Sequence, residues 1–136
     1  RDLHSFPTRR SSDLSARICA RSLGSSSGPA VVFGSDEKVG MLDAALINGT
    51  ASHALDFDDC NNTFGGHPSV PLLSALIALG EELGSSGRDL LAAYIIGFEA
   101  ETRIARAVHF LVAEAPYVTG QIIAVDGGFL ASGVNQ

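Results

Sequence analysis

The sequence has little cysteine, little lysine and no long apolar run, and each shortage removes a class of function. Cys19 and Cys60 are the only thiols, with no C-x-x-C and no Cys/His ligand spacing, so zinc and iron–sulfur centres fail on count. Two cysteines at 46% hydrophobic composition also argue against a disulfide scaffold and make a reducing cytoplasm the expected setting. The best apolar stretch is interrupted by Gly80 and the Glu81–Glu82 pair, so no membrane span of about 18 residues is expected. RDLHSFPTRRSSDL, the first 14 residues, lacks the apolar region of a secretory signal. Nine basic residues against fifteen acidic ones give a net charge of −6, which disfavours nucleic acid or an anionic membrane as partner. Met41 is the single methionine and the first residue is Arg1, so a fragment or processed product is expected.

What is present divides into three blocks. Residues 1–14 carry +1 and resemble translated sequencing adapter; they are expected to be a disordered leader with no part in the fold. Residues 15–108 carry −5 and have helical patterning: 15–23, 41 to about 54, 72–83, and 88 to about 108. Leu42, Ala45, Leu46, Gly49 and His53 fall on one face of the second of these, which places His53 as a buried structural histidine. Ser69 is an N-cap candidate with Pro71 in the first turn. The helix that follows is apolar almost all round and expects burial on most sides. Gly84-Ser-Ser-Gly87 ends it and caps the next, where Glu99 and Arg103 stand at i,i+4. Gly80 and Gly97 inside these helices suggest close helix–helix approach. Ala30–Phe33 is a short β-like run. In residues 109–136 a second β-branched run, Gln121–Val125, precedes Asp126-Gly127-Gly128 and reads as a strand and turn. His109 has no evident partner. The fold class expected is mainly α, with a short α/β-like C-terminal strand.

The chemistry concentrates between His53 and Ser69. Asp56, Asp58 and Asp59 crowd into four residues, and His67 follows just before a helix. A calcium loop started at Asp56 would need ligands where Cys60 and His67 stand, and its pattern fails. A magnesium–diphosphate motif would space its carboxylates over successive helical turns, so no metal is expected. A carboxylate beside an imidazole suits proton transfer, with Asp56 and His67 the candidate catalytic residues. An Asp-rich loop that only caps a helix is the competing reading.

Residues 15–108 resemble the N-terminal part of the MmgE/PrpD family, the 2-methylcitrate dehydratase-like enzymes. The resemblance rests on Asp43-Ala-Ala-Leu-Ile-Asn-Gly-Thr-Ala-Ser-His-Ala-Leu-Asp-Phe-Asp-Asp59, Gly66-His-Pro-Ser69, Gly97-Phe-Glu99 and Arg103-Ile-Ala105. It implies a partial helical domain whose complete relatives are homodimers carrying a second, α+β domain. They act on small polycarboxylates by dehydration, isomerisation or decarboxylation, with no cofactor. It further implies that Asp56 and His67 line the substrate pocket. Cys60 stands in the substrate-binding position, where the family often has threonine. Pocket lysines and histidines would lie beyond this segment, so the chain alone is expected to be inactive.

The last 28 residues instead resemble the C-terminal end of a short-chain dehydrogenase/reductase, through Val108-His-Phe-Leu-Val and Tyr117-Val-Thr-Gly-Gln-Ile-Ile-Ala-Val-Asp-Gly-Gly128. An NAD(P)-dependent oxidoreductase fragment is the alternative this raises. With Lys38 the only lysine, no Tyr-x-x-x-Lys pair exists, and Gly24-Ser-Ser-Ser-Gly28 lacks the preceding strand and third glycine of a dinucleotide turn. A chimeric fragment is thus the expectation. A third alternative is non-enzymatic, with apolar helices serving as a homo-oligomerisation surface.

Overall fold

The computed structural model describes residues 12–23, 26–62 and 65–127. In chain order these form α1 (Ser12–Leu23), β1 (Ala30–Val31), β2 (Lys38–Val39), α2 (Met41–His53), α3 (Ser69–Leu83) and α4 (Gly87–His109). A π-type turn, Phe110–Glu114, continues α4. The fold is mainly α, as expected. Residues 1–11 of the expected leader, Gly24 and Ser25 of the glycine-serine stretch, and the tail from 128 onward lie outside the described residues. Helix α1 begins at Ser12, inside the stretch expected as a leader.

Helix α2 is the centre. It packs against α1 on one side and α3 on the other, and α4 lies against α3. The β1–β2 pair is antiparallel, Ala30 opposite Val39 and Val31 opposite Lys38. Gly34, at φ +77°, lets the connection turn tightly, and Ser35 bonds back to the Val32 carbonyl. Asn48, 1% exposed on α2, clamps this hairpin: its Oδ1 accepts from Phe33 N–H at 2.8 Å and its Nδ2 donates to the Val31 carbonyl at 2.9 Å. Glu81 at the far end of α3 accepts from Val31 N–H at 2.8 Å. The buried apolar cluster is small: Ala30, Val32, Val39, Ala44, Ile47 and Ala78. Close approach at the hairpin explains Gly28. A Cβ there would stand 2.7 Å from the Val39 carbonyl oxygen and the Gly40 Cα, backbone atoms that cannot yield.

Several expectations need correction. The face of α2 that bears Leu42, Ala45, Leu46, Gly49 and His53 is not the core face. Ala44, Ile47 and Asn48 are buried instead, while Leu42 and Leu46 are exposed. Helix α3 is less enclosed than its composition suggests, because its neighbours cover only part of its circumference. Only Ser74 and Ala78 are fully buried, and Leu83 is exposed. Ser69 is the first helical residue rather than the cap, a position held by Pro68. Gly97 does mark close approach, since its Cβ position lies 2.8 Å from Leu72 Cδ2; Gly80 has ordinary clearance. The Gly84–Gly87 reading holds. Gly84 closes α3 in the left-handed region, and Ser86 and Asp89 form a reciprocal capping box on α4.

Gln121–Val125 forms no strand. A strand requires a ladder partner, and the sole paired strands among the described residues bond to each other. Ile122 is accordingly 99% exposed. His109, without an evident partner in the sequence, sits 3.6 Å from Glu114 Oε1 in the π-type turn. No helix among the described residues is long and apolar enough to cross a membrane.

Candidate active site

The loop after α2 converts a run of carboxylates into three separate contacts. Asp56 N–H bonds to the His53 carbonyl at 2.9 Å, and Asp56 itself takes φ +52°, the one non-glycine residue in the left-handed region among the described residues. That conformation costs an L-residue about 1–2 kcal/mol, though aspartate bears it better than most. It reverses the chain at the end of α2. Asn61 and Gly66 then form an isolated bridge, with Asn61 N–H bonded to the Gly66 carbonyl at 2.9 Å. The bridge returns His67 to the residues it left. Thr63 and Phe64, at the tip, lie outside the described residues.

His67 Nε2 is 3.1 Å from Asp56 Oδ1, and its Nδ1 is 3.4 Å from Asp58 Oδ2. The two candidate catalytic residues are therefore adjacent. Asp56 is largely exposed, whereas the Asp58 side chain is only 10% exposed. Asp58 also meets His53, whose Nδ1 lies 3.1 Å from both carboxylate oxygens. The two imidazoles stack edge to face, with centroids 4.9 Å apart. His53 is thus half-exposed and part of the site, not a buried structural histidine. Helix α2 ends at His53, so its ring reaches the loop instead of the core. Burial pushes the Asp58 carboxyl up. The His53 hydrogen bond, a hydrogen bond to its own backbone N–H and the charges of His67 and His53 outweigh it, holding the group below its usual range.

Asp59 points elsewhere. Its two oxygens accept from Ser69 N–H at 3.1 Å and Ser69 Oγ–H at 2.7 Å, fastening the first turn of α3. Ser69 Oγ also lies 2.6 Å from the Tyr94 hydroxyl on α4. The capping reading of an Asp-rich loop therefore holds for Asp59, while Asp56 and Asp58 lie against the histidines. Cys60 is exposed and is absent from the group around His67.

Glu101 on α4 lies within electrostatic reach of Asp59. One of its oxygens is sealed from solvent without a hydrogen bond. Burial pushes its carboxyl above the usual range, and the charge of Asp59 adds to this. A carboxyl with a raised folded value is unpenalised below its unfolded value near 4.5, where it is protonated in both states. The penalty grows as pH rises from there toward the folded value. Glu101→Gln is therefore expected to raise stability at neutral pH. The gain should vanish below pH 4.5, as followed by urea unfolding across that range.

An apolar cleft of about 710 Å³ opens beside the two histidines. Ala45, Leu46, Gly49 and His53 from α2 form one wall, and Val70, Pro71, Ser74 and Ala75 from α3 the other. The helical spacing seen in the sequence thus belongs to a cleft wall. No lysine or arginine is among the residues lining it.

His53, Asp56, Asp58 and His67 each offer a ligand atom, all within 4.8 Å of one another. A tetrahedral zinc site with bonds of about 2.0–2.1 Å sets neighbouring ligand atoms about 3.3 Å apart, so the group would have to contract. Asp56 and Asp58 also face different ring nitrogens of His67. The arrangement fits an imidazole held between carboxylates better than a cation cage.

The model of the MmgE/PrpD N-terminal domain matches residues 9–126. Cis-aconitate decarboxylase of Mus musculus is 42% identical over 71 residues, 49% of this chain and 14% of that protein. The human cis-aconitate decarboxylase matches to the same extent. That of Aspergillus terreus is 29% identical over 112 residues, 78% of this chain and 23% of its own length. The chain thus spans less than a quarter of these relatives. No solved structure matches it.

Proposed function

The chain belongs to the MmgE/PrpD family, and from that membership we propose that Asp56 and His67 are the proton-exchanging part of a lyase site for small polycarboxylates. The observation that carries this is the 3.1 Å contact between Asp56 Oδ1 and His67 Nε2 beside an open cleft. His67 exchanges a proton with the substrate carbon, and Asp56 orients the ring and polarises it. The same pair serves two chemistries. In dehydration a proton leaves the carbon beside a carboxylate and hydroxide departs; in decarboxylation carbon dioxide departs and the carbanion takes a proton. Cis-aconitate, named by the relatives, and 2-methylcitrate, the substrate implied by the family resemblance, are the candidates. The left-handed backbone of Asp56 supports the reading, since glycine would hold that turn at lower cost but would offer no carboxylate.

A substrate with two or three carboxylates needs cations, and this cleft lines itself with none. Cations that do not line this cleft must supply that charge, so the cleft by itself is expected to bind weakly and without turnover. With histidine-labelled chain, cis-aconitate at about 1–10 mM, a weak-binding range, is expected to shift the His53 and His67 ring signals without product forming. Unmoved ring signals would dispose of the site. Turnover lost on His67→Ala would show instead that no outside cation is needed.

A further inference from the structure

We propose that Asp58 is a positioning residue for His67, held to that task by His53; the inference rests on the proton-exchanging role given to His67 above. His67 Nδ1 is closed to solvent and has no hydrogen-bond partner of good geometry. A buried ring nitrogen in that state needs an acceptor for its proton, or a donor for its lone pair. Asp58 Oδ2 stands 3.4 Å away, long for a hydrogen bond but within a small swing of the ring. Among the described residues no donor pairs with this nitrogen, and Asp58 is an acceptor. Such contacts commonly shorten only when substrate is bound.

Asp58 is suited to the task by its surroundings. Its side chain is nine-tenths buried, and both its oxygens meet His53 Nδ1 at 3.1 Å. His53, rooted in the last turn of α2, thereby fixes the carboxylate on its far side. A carboxylate has lone pairs enough for both rings. With the proton on Nδ1 directed to buried Asp58, Nε2 is left as the nitrogen that exchanges protons, and exposed Asp56 holds that proton at 3.1 Å when it is present. Asp58 selects the tautomer and the ring orientation, as a buried carboxylate does behind other catalytic imidazoles. It touches no reacting atom.

The test reads the tautomer directly, by long-range proton–nitrogen spectra of the histidine-labelled full chain at mildly alkaline pH, where imidazoles are neutral. Wild-type His67 is expected mainly as the Nδ1–H tautomer. In Asp58→Ala the ratio of Nδ1–H to Nε2–H should fall about tenfold, the effect of losing one charge-assisted hydrogen bond. Asp58→Glu should restore part of it, and His53→Gln should lower it by a smaller factor. A wild-type His67 found as Nε2–H overturns the proposal without any variant. So does a ratio unchanged in a folded Asp58→Ala. Response of the His67 ring to cis-aconitate is scored separately. If it persists while the tautomer ratio ignores Asp58, the positioning role fails alone; if it is absent while the ratio responds, the substrate reading fails alone.

Discussion

Asn48→Leu is expected to cost about 3 kcal/mol of folding stability, though leucine matches asparagine closely in size. The side chain is 1% exposed, and one amide group closes two backbone groups of the hairpin, the Phe33 N–H and the Val31 carbonyl. Leucine removes both partners while leaving the backbone groups in place. Each unpaired group then costs on the order of 1–3 kcal/mol, and the apolar gain from leucine offsets part of that. Asn48→Asp keeps the acceptor for Phe33, loses the donor for Val31 and adds a buried charge, so it should be no better tolerated. Urea unfolding at constant m-value checks both. A neutral Asn48→Leu would mean that the hairpin is not docked on α2 through this residue. The effect is large against the 5–15 kcal/mol that folded domains possess, and this buried cluster, half of it alanine, has little to compensate.

Nothing in the sequence marks Asn48 for this role, because its partners lie 15 and 17 residues upstream. The parts of the fold that were legible are those written locally. Gly84-Ser-Ser-Gly87 announces both the end of α3 at Gly84 and the start of α4, where Ser86 pairs with Asp89. Lys38–Val39 is too short to register as a strand without its partner. Gln121–Val125 registers as one but pairs with nothing among the described residues. The site follows the same rule. The adjacency of Asp56 and His67 was legible because both flank one short polar loop between two helices. His53 was assigned to the core because helical spacing defines a face without saying what covers it. Here the face is the wall of an open cleft. The separate tasks of Asp56, Asp58 and Asp59 depend on one left-handed residue and one bridge, which residue type alone does not specify.

Those separate tasks make Asp59→Ala the second large effect, a loss of about 2 kcal/mol. The first N–H groups of α3 have no partner within the helix, and its cap, Pro68, makes no side-chain bond to them. Asp59 supplies the missing acceptor from ten residues away, bonding both Ser69 N–H and Ser69 Oγ–H, and its charge lies at the positive end of the helix dipole. Removing it also relieves the repulsion on Glu101, which offsets part of the loss at neutral pH. Asp59→Asn retains one acceptor and should cost about half as much. Asp56→Asn, by contrast, alters a side chain 77% exposed and keeps a residue that tolerates the left-handed turn, so it should shift stability by less than about 0.5 kcal/mol. Chemical unfolding of the three variants, with His53 and His67 ring spectra recorded beside it, separates the roles. The Asp56 variant should disturb the rings and leave the unfolding midpoint alone. The Asp59 variants should move the midpoint first and disturb the rings only as α3 loosens. The reverse order would mean that the loop is held by its histidines, and that α3 starts without help from Asp59.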